Sequence, residues 1–240
     1  MKLALRLFPP SWVQIVSDDV VVYIDPAYLS TYFAKHPGRV EFSKWPDEID
    51  GLPEPELPRA DIVLLTHAHK DHCKRVTIDR LCGKDTVILG PKRCARPVGR
   101  PMTIVSPGDE IGIRGIRLRA LPAYNTATGS STKKAHPPGR GVGYLVTIGD
   151  TRIYHAGDTD LIPEMKDLSR VDVAFFPVGG TFTMDIDEAI EAALVIKPMV
   201  AVPMHHLRRA NPDEFVARLR KRSRTVKPNA PGIGEVISTG

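Results

Sequence analysis

The chain has little cysteine, because Cys73, Cys82 and Cys94 are the only three. An odd and sparse set gives no framework of disulfides, which excludes a small secreted disulfide scaffold. The amino-terminal apolar stretch is short, is interrupted by Arg6 and ends at a pair of prolines, so we predict no signal peptide. No run of about 18 apolar residues occurs, which excludes a membrane-spanning helix. These absences together predict a cytoplasmic protein.

Two common motifs are also missing, because neither G-x-x-x-x-G-K-[ST] nor G-x-S-x-G occurs. The charge excess is modest: 33 basic residues against 28 acidic ones give a net charge of +5. This excess suits an anionic small-molecule substrate, whereas nucleic-acid-binding proteins usually concentrate positive charge more strongly. We therefore expect a small-molecule partner, keep nucleic acid as a second option, and expect no membrane partner. The sequence indicates no oligomeric state.

The 240 residues, of which 42% are hydrophobic, suffice for one large domain with a substantial core. A chain of this length buries roughly 70–75% of its unfolded surface, so a metal cluster would serve chemistry rather than folding. Apolar runs predict strands through the first half, and strands alternate with helices later. This order favours an α/β fold in which helices cover sheets. The proline-rich residues 27–59 are predicted to form a surface excursion. Helices are predicted at 71–82, 161–167, 185–196 and 212–222.

One short stretch concentrates candidate metal ligands directly after the predicted strand 61–66. His67, His69, Asp71 and His72 fall within six residues. Alternate residues of a strand share a face, so His67 and His69 can point the same way. Asp71 and His72 follow where a helix is predicted to begin. Neutral imidazole and carboxylate groups suit zinc, manganese or iron. The stretch can therefore offer two sets of ligands to two neighbouring cations.

Two later strand ends carry the same types of residue. His155 ends one predicted strand and Asp158 follows it closely, while His205 and His206 follow another predicted strand. Because a carboxylate has two oxygens, Asp158 can bridge two cations. We expect Asp158 and His205 to be metal ligands. We expect His155 and His206 to contact the ligands or the substrate.

The order of these motifs resembles that of the metallo-β-lactamase-fold hydrolases. HxHxDH at 67–72, GDT at 157–159 and a histidine after a late strand occur in the family's order and spacing. AYN at 123–125 and PMHH at 203–206 are similar to segments of its branch of predicted metal-dependent hydrolases, near the ascorbate-lactonase-like proteins. The resemblance covers almost the whole chain. It implies a four-layer αββα sandwich, with residues 1–240 forming one domain of two αβ lobes and a metal cleft between them.

The resemblance also implies which residues bind two metals. It assigns His67 and His69 to the first metal. It assigns Asp71, His72 and His205 to the second metal, and Asp158 to both. The family usually supplies one more histidine to the first metal, where this chain has Asn125. His136 lies eleven residues on and either substitutes for it or is an ordinary loop histidine. Sites with one metal and with two metals both stay open.

These residues predict a metal-dependent hydrolase, with zinc as the first choice of metal and manganese, iron or nickel as the others. Such a cation lowers the pKa of a bound water to about 7 and supplies a nucleophile at neutral pH. Asp71 can orient that water, and His206, His155 or a metal-bound water can protonate the leaving group. Lys133 and Lys134 either neutralise an anionic substrate or are merely exposed. We expect a small ester-type substrate, a phosphodiester or a lactone. The alternatives are an RNA- or DNA-processing nuclease of the same fold and an inactive metal-binding protein.

Overall fold

A computed structural model describes residues 3–27, 57–206 and 210–238. Most of the predicted surface excursion, residues 28–56, lies outside the described residues. The chain divides into two compact units. The first runs to Val105 and includes Gly232–Val236, and the second comprises Ser106–Pro231 and the residues from Ile237 onward.

Fourteen strands and four α-helices are present in the described part of the chain. The strands are β1 (Ala4–Phe8), β2 (Trp12–Val16), β3 (Val21–Ile24), β4 (Ala60–Leu64), β5 (Cys82–Gly90), β6 (Thr103–Ile104), β7 (Glu110–Ile113), β8 (Ile116–Ala123), β9 (Gly141–Ile148), β10 (Thr151–His155), β11 (Val173–Pro177), β12 (Val200–Met204), β13 (Lys227–Pro228) and β14 (Val236–Ile237). The helices are α1 (Arg75–Leu81), α2 (Ala95–Val98), α3 (Ile186–Ile196) and α4 (Pro212–Arg222).

The sheet of the first unit has the strand order β14-β1-β2-β3-β4-β5-β6. β1, β2 and β3 pair antiparallel, and β3 to β6 pair parallel. The residues Ile62 to Leu64 of β4 are all buried, as expected for a strand inside a parallel sheet. Parallel pairing brings the carboxyl ends of β3 and β4 to one edge of this sheet. Asp25 and Thr66, which follow those two strands, are therefore neighbours.

Helices α1 and α2 pack on this sheet over an apolar core. Trp12 and Tyr23 contribute a T-shaped ring contact with centroids 5.6 Å apart, and Ile78 and Val98 contribute helix side chains. The three cysteines are buried and form no disulfide. Cys73, directly after His72, is among the buried core residues.

The first helix begins at Arg75 rather than at residue 71, so this part of the prediction was wrong. The amides of His72 and Cys73 both donate to the carbonyl of His69, at 3.0 and 2.8 Å. These two bonds close a tight turn before the helix. Asp71 and His72 consequently lie in that turn and not on the helix.

The sheet of the second unit has the order β13-β12-β11-β10-β9-β8-β7. β7 to β10 pair antiparallel, and β10 to β13 pair parallel. A tight hairpin joins β9 to β10, and Gly149 adopts the positive φ of 57° that its turn requires. The parallel strands β10, β11 and β12 end at one edge of this sheet. The turns after them carry Asp158, Gly179 and His205.

Helices α3 and α4 pack over the second sheet on an apolar core that includes Tyr154, Phe176, Ile190 and Phe215. Asp185 caps α3 by accepting a bond of 2.9 Å from the Glu188 amide. Both helices match their predictions within one residue. The helix predicted at 161–167 is instead a 3₁₀ turn at Pro163–Asp167.

None of the helices in the described ranges has the length and apolar character needed to cross a membrane.

Candidate functional site

Asp25 organises the ligand-rich stretch of the first unit, although the sequence did not single it out. Its Oδ1 accepts from the Thr66 amide at 2.7 Å, and its Oδ2 accepts from the Thr66 hydroxyl at 2.5 Å and from His72 Nδ1 at 2.7 Å. Asp25 is fully buried and has a φ of 50°. Because the carboxylate can only accept, His72 carries its proton on Nδ1. Its Nε2 is then the nitrogen that can bind a metal.

Thr66 orients His67 in a similar way. Its hydroxyl hydrogen is used by Asp25, so the oxygen accepts from His67 Nδ1 at 3.0 Å. His67 Nε2 lies 2.9 Å from Nδ1 of His69. His67 is buried, whereas His69 is exposed. Both rings thus present nitrogen atoms to the same region within the first unit.

The first unit brings together all four predicted residues of the 67–72 stretch. The ligand atoms of His67 and His69 lie within 4.8 Å of each other, and so do those of Asp71 and His72. The Asp71 carboxylate is 3.7 Å from His72 Nε2. The stretch therefore contains two neighbouring pairs of side chains that could bind metal, and their ligand roles stay a prediction.

The second unit places Asp158 between two histidines. Its Oδ2 lies 3.3 Å from His136 Nε2 and 3.4 Å from His205 Nε2. All three side chains are buried. His136, whose role the sequence left open between a metal ligand and an ordinary loop histidine, thus lies beside Asp158. Asn125 does not replace it, because the Asn125 side chain bonds to backbone groups and to Asp160.

The spacing within this cluster fits a metal. Zinc binds histidine nitrogen at about 2.0–2.1 Å in tetrahedral sites, so two ligand atoms on one zinc lie roughly 3.3–3.4 Å apart. The distances from Asp158 to His136 and His205 have this length. Imidazole and carboxylate are also the donor types that zinc and other first-row metals accept. The residues present therefore suit a divalent cation.

His155 shapes the turn that carries Asp158. Its Nδ1 accepts from the Gly157 amide at 3.2 Å, and its ring packs against that of Phe175 with centroids 6.3 Å apart. The side chain is fully buried. Gly157 allows the turn, since its φ is 68°. His155 thus contacts the turn that carries Asp158, and its predicted contact with ligands or substrate stays a prediction.

His205 depends on a glycine in the neighbouring turn. A Cβ atom at Gly179 would lie 2.7 Å from the His205 carbonyl oxygen, which is closer than real Cβ atoms approach. His205 itself has a φ of 52°. Next to it, His206 is half-buried, and burial and then the His205 ring lower the pKa of His206. The catalytic role of His206 stays a prediction.

A buried aspartate anchors the loop that carries His136. Asp160 Oδ2 accepts from the Thr126 amide at 2.9 Å, from the Ser131 hydroxyl at 2.8 Å and from Lys134 Nζ at 3.2 Å. Lys134 is therefore an anchor of the loop and not a free substrate contact. Lys133 is exposed, and its Nζ lies 5.6 Å from the centre of the Phe182 ring.

The comparisons with known proteins agree with this architecture. Two mixed sheets with helices and histidine–aspartate clusters at strand ends define a protein of the metallo-β-lactamase fold. A family model described as the beta-lactamase superfamily domain matches residues 9–205, and the chain belongs to that family.

Its relatives are metal-dependent hydrolases by name. A UPF0173 metal-dependent hydrolase of Thermoplasma acidophilum is 35% identical over 173 residues, which are 68% of this chain and 75% of that protein. A solved structure from Parabacteroides distasonis is 29% identical with a TM-score of 0.76, over 95% of this chain and 92% of that one. Igni18, a metallo hydrolase from Ignicoccus hospitalis, is 25% identical with a TM-score of 0.70, over 98% and 97% of the two chains. The predicted family and fold class are confirmed.

Proposed function

We propose that this chain is a zinc-dependent hydrolase that cleaves a small anionic ester, a phosphodiester or a lactone. One observation carries the proposal. A single carboxylate oxygen of Asp158, Oδ2, lies at the spacing of metal ligands from two imidazole nitrogens. Membership of a family of metal-dependent hydrolases supports the same reaction class. A cytoplasmic location belongs to the proposal, with the disulfide-free cysteines in its support.

The proposal keeps the ligand sets that the family resemblance implies, with His136 added. The first metal would take His67, His69 and His136. The second would take Asp71, His72 and His205, and Asp158 would serve both. His136 supplies the imidazole that Asn125 does not. When bound, the metals activate water and polarise the bond under attack.

The remaining chemistry belongs to side chains of this chain. The buried Asp71 carboxylate accepts a hydrogen bond from the attacking water and so orients it. His206 transfers a proton to or from the leaving group. Lys133 is exposed, with its Nζ 5.6 Å from the centre of the Phe182 ring, and attracts the negative charge of the substrate. Lys134 does not share this task, because Asp160 holds it.

The two alternatives receive less support. The nuclease alternative is favoured only by the mild basic excess of +5. Part of that excess is already paired, because Arg218 and Arg222 of α4 bond to Asp187 and Glu191. An inactive metal-binding protein was suggested by Asn125. His136 removes that argument, because it offers the missing imidazole within the Asp158 cluster.

Metal analysis and a substrate panel test the proposal. Plasma mass spectrometry of the protein purified without chelator should find zinc, and phosphodiesters and lactones should be hydrolysed. Asp71→Ala should lower kcat by at least about 100-fold on the best substrate, since it removes the orienting group. Asp79→Ala, on the exposed face of α1, is the matched control and should keep wild-type activity. Equal kcat for wild type and Asp71→Ala would refute the role of Asp71.

The proposed negative charge of the substrate needs its own test. Lys133→Ala should raise KM for an anionic substrate and leave kcat nearly unchanged, because the ammonium acts in binding. Lys134→Ala is the comparison, since it should lower the stability of the chain instead. A Lys133→Ala variant with an unaltered KM would remove Lys133 from the proposal.

A further inference from the structure

Asn125 and His136 close the loop between β8 and β9 through reciprocal bonds. The Asn125 amide donates to the His136 carbonyl at 2.7 Å. In return, the His136 amide donates to Oδ1 of the Asn125 side chain at 2.8 Å. Both residues are buried, with exposed fractions of 8% and 6%. The backbone of His136 is therefore fixed by Asn125 at two points.

Asn125 also holds the group that orients the His136 ring. Its Nδ2 donates to the carbonyl of Phe182 at 2.8 Å, and His136 Nδ1 lies 3.0 Å from that same oxygen. A carbonyl oxygen only accepts, so His136 carries a proton on Nδ1. The other ring nitrogen, Nε2, is the one turned toward Asp158. A bond of this kind on the far nitrogen fixes the tautomer and the ring direction of a metal-binding histidine.

We propose that Asn125 is a positioning residue that holds His136 in the geometry of a metal ligand. The inference rests on the proposed function, because it assumes that His136 binds the first metal. Only a carboxamide satisfies both side-chain bonds at this position, since Oδ1 accepts from the His136 amide while Nδ2 donates to the Phe182 carbonyl. An aspartate would keep the acceptor but would turn a carboxylate oxygen toward the Phe182 carbonyl and the Asp160 carboxylate.

A double-mutant cycle on zinc affinity tests this inference. Zinc dissociation constants of wild type, Asn125→Ala, His136→Ala and the double variant are measured by chelator competition on the full chain. Asn125→Ala should weaken binding at the first site by about 10–100-fold, and His136→Ala should weaken it at least as much because it removes a proposed ligand. The double variant should bind no more weakly than His136→Ala, because Asn125 acts through His136. The visible absorption of bound Co²⁺ should change in the same way in both single variants.

Two further variants separate this effect from general damage. Tyr124→Phe is the control beside Asn125, because its hydroxyl bonds to Glu164 and not to His136, and it should keep wild-type zinc affinity. Asn125→Asp replaces Asn125→Ala in the cycle if Asn125→Ala does not fold, since aspartate keeps the oxygen that accepts from the His136 amide. It should weaken zinc binding and alter the Co²⁺ spectrum.

The cycle distinguishes two kinds of failure. If removing Asn125 weakens zinc binding as much without His136 as with it, Asn125 does not act through His136 and the inference is wrong. If His136→Ala leaves zinc binding and the Co²⁺ spectrum unchanged, the ligand role of His136 in the proposed function is wrong instead.

Discussion

Asp25 is a single residue on which the ligands of the first unit depend. It contacts Thr66 and His72 together and so fixes the direction of the His72 ring. Asp25→Asn keeps the shape but places an amide group where a carboxylate accepted hydrogen bonds. We expect zinc affinity to fall by about 10–100-fold while the chain stays folded. Chelator competition measures the affinity, and circular dichroism checks the fold.

The control for this substitution lies on β4. Asp61 accepts a bond from the Val21 amide at 2.9 Å, so Asp61→Asn keeps its oxygen acceptor and should bind zinc as wild type does. Wild-type zinc affinity in Asp25→Asn would show that the carboxylate does not support His72.

Ionisation of Tyr23 should make the free energy of unfolding depend on pH in the alkaline range. Burial raises the pKa of Tyr23 to about 12, against the lowering effect of the bond from Gln14. Its usual pKa is near 10. A raised pKa in the folded state means stability that is complete below about pH 10 and is lost as the pH rises toward 12, by at most about 3 kcal/mol. Tyr23→Phe should lose less stability than wild type between pH 9 and pH 11.5 in urea unfolding. Equal losses in both proteins would contradict the prediction.

The candidate ligands could be predicted at this scale, but the residues that hydrogen-bond to them and orient them could not. His67, His69, Asp71 and His72 stand within six residues, so their pattern is visible in the sequence. Asp25 meets His72 across 47 positions, and no local pattern connects them. The position of His136 was left open for the same reason, because its ring partner Phe182 lies 46 residues away.

At the scale of elements, the turn after β11 packs so closely against the turn after β12 that it has no room for a side chain at Gly179. Gly179→Ala would push a Cβ into the His205 carbonyl, and this oxygen cannot move without shifting a predicted ligand. We expect a loss of about 1–3 kcal/mol in unfolding free energy and weaker zinc binding. Gly112→Ala on β7 is the control, because its Cβ would meet no atom within 4 Å. If both variants behave alike, the close approach at Gly179 has no consequence for His205.

Elements with strong periodicity could be predicted, and those set by the site could not. Apolar runs predicted β4, β10, β11 and β12, and an acidic first turn predicted α3. The predicted start of α1 was wrong because the amides of His72 and Cys73 donate to the carbonyl of His69 and close a turn before the helix. The two-residue strands β13 and β14 are too short to produce a period, since their pairing depends on distant partners.

At the scale of the whole molecule, metal binding should appear as added stability. A ligand that binds only the folded chain contributes RT ln(1 + [L]/Kd), about 2.7 kcal/mol at 100 times Kd. For a chain of this size, each kcal/mol raises the melting temperature by roughly 2–4 °C. Excess zinc should therefore raise it by about 5–10 °C over the protein treated with chelator, measured by calorimetry.

Ligand substitutions in either unit give this prediction its sharpest form. His67→Ala belongs to the first unit and His205→Ala to the second, and each should reduce the stabilisation by zinc, because each removes a proposed ligand. Asp79→Ala should keep the full increase. A full increase in His205→Ala with none in His67→Ala would mean that zinc binds through the first unit alone, and the proposed sharing of the metals by Asp158 would then have to be abandoned.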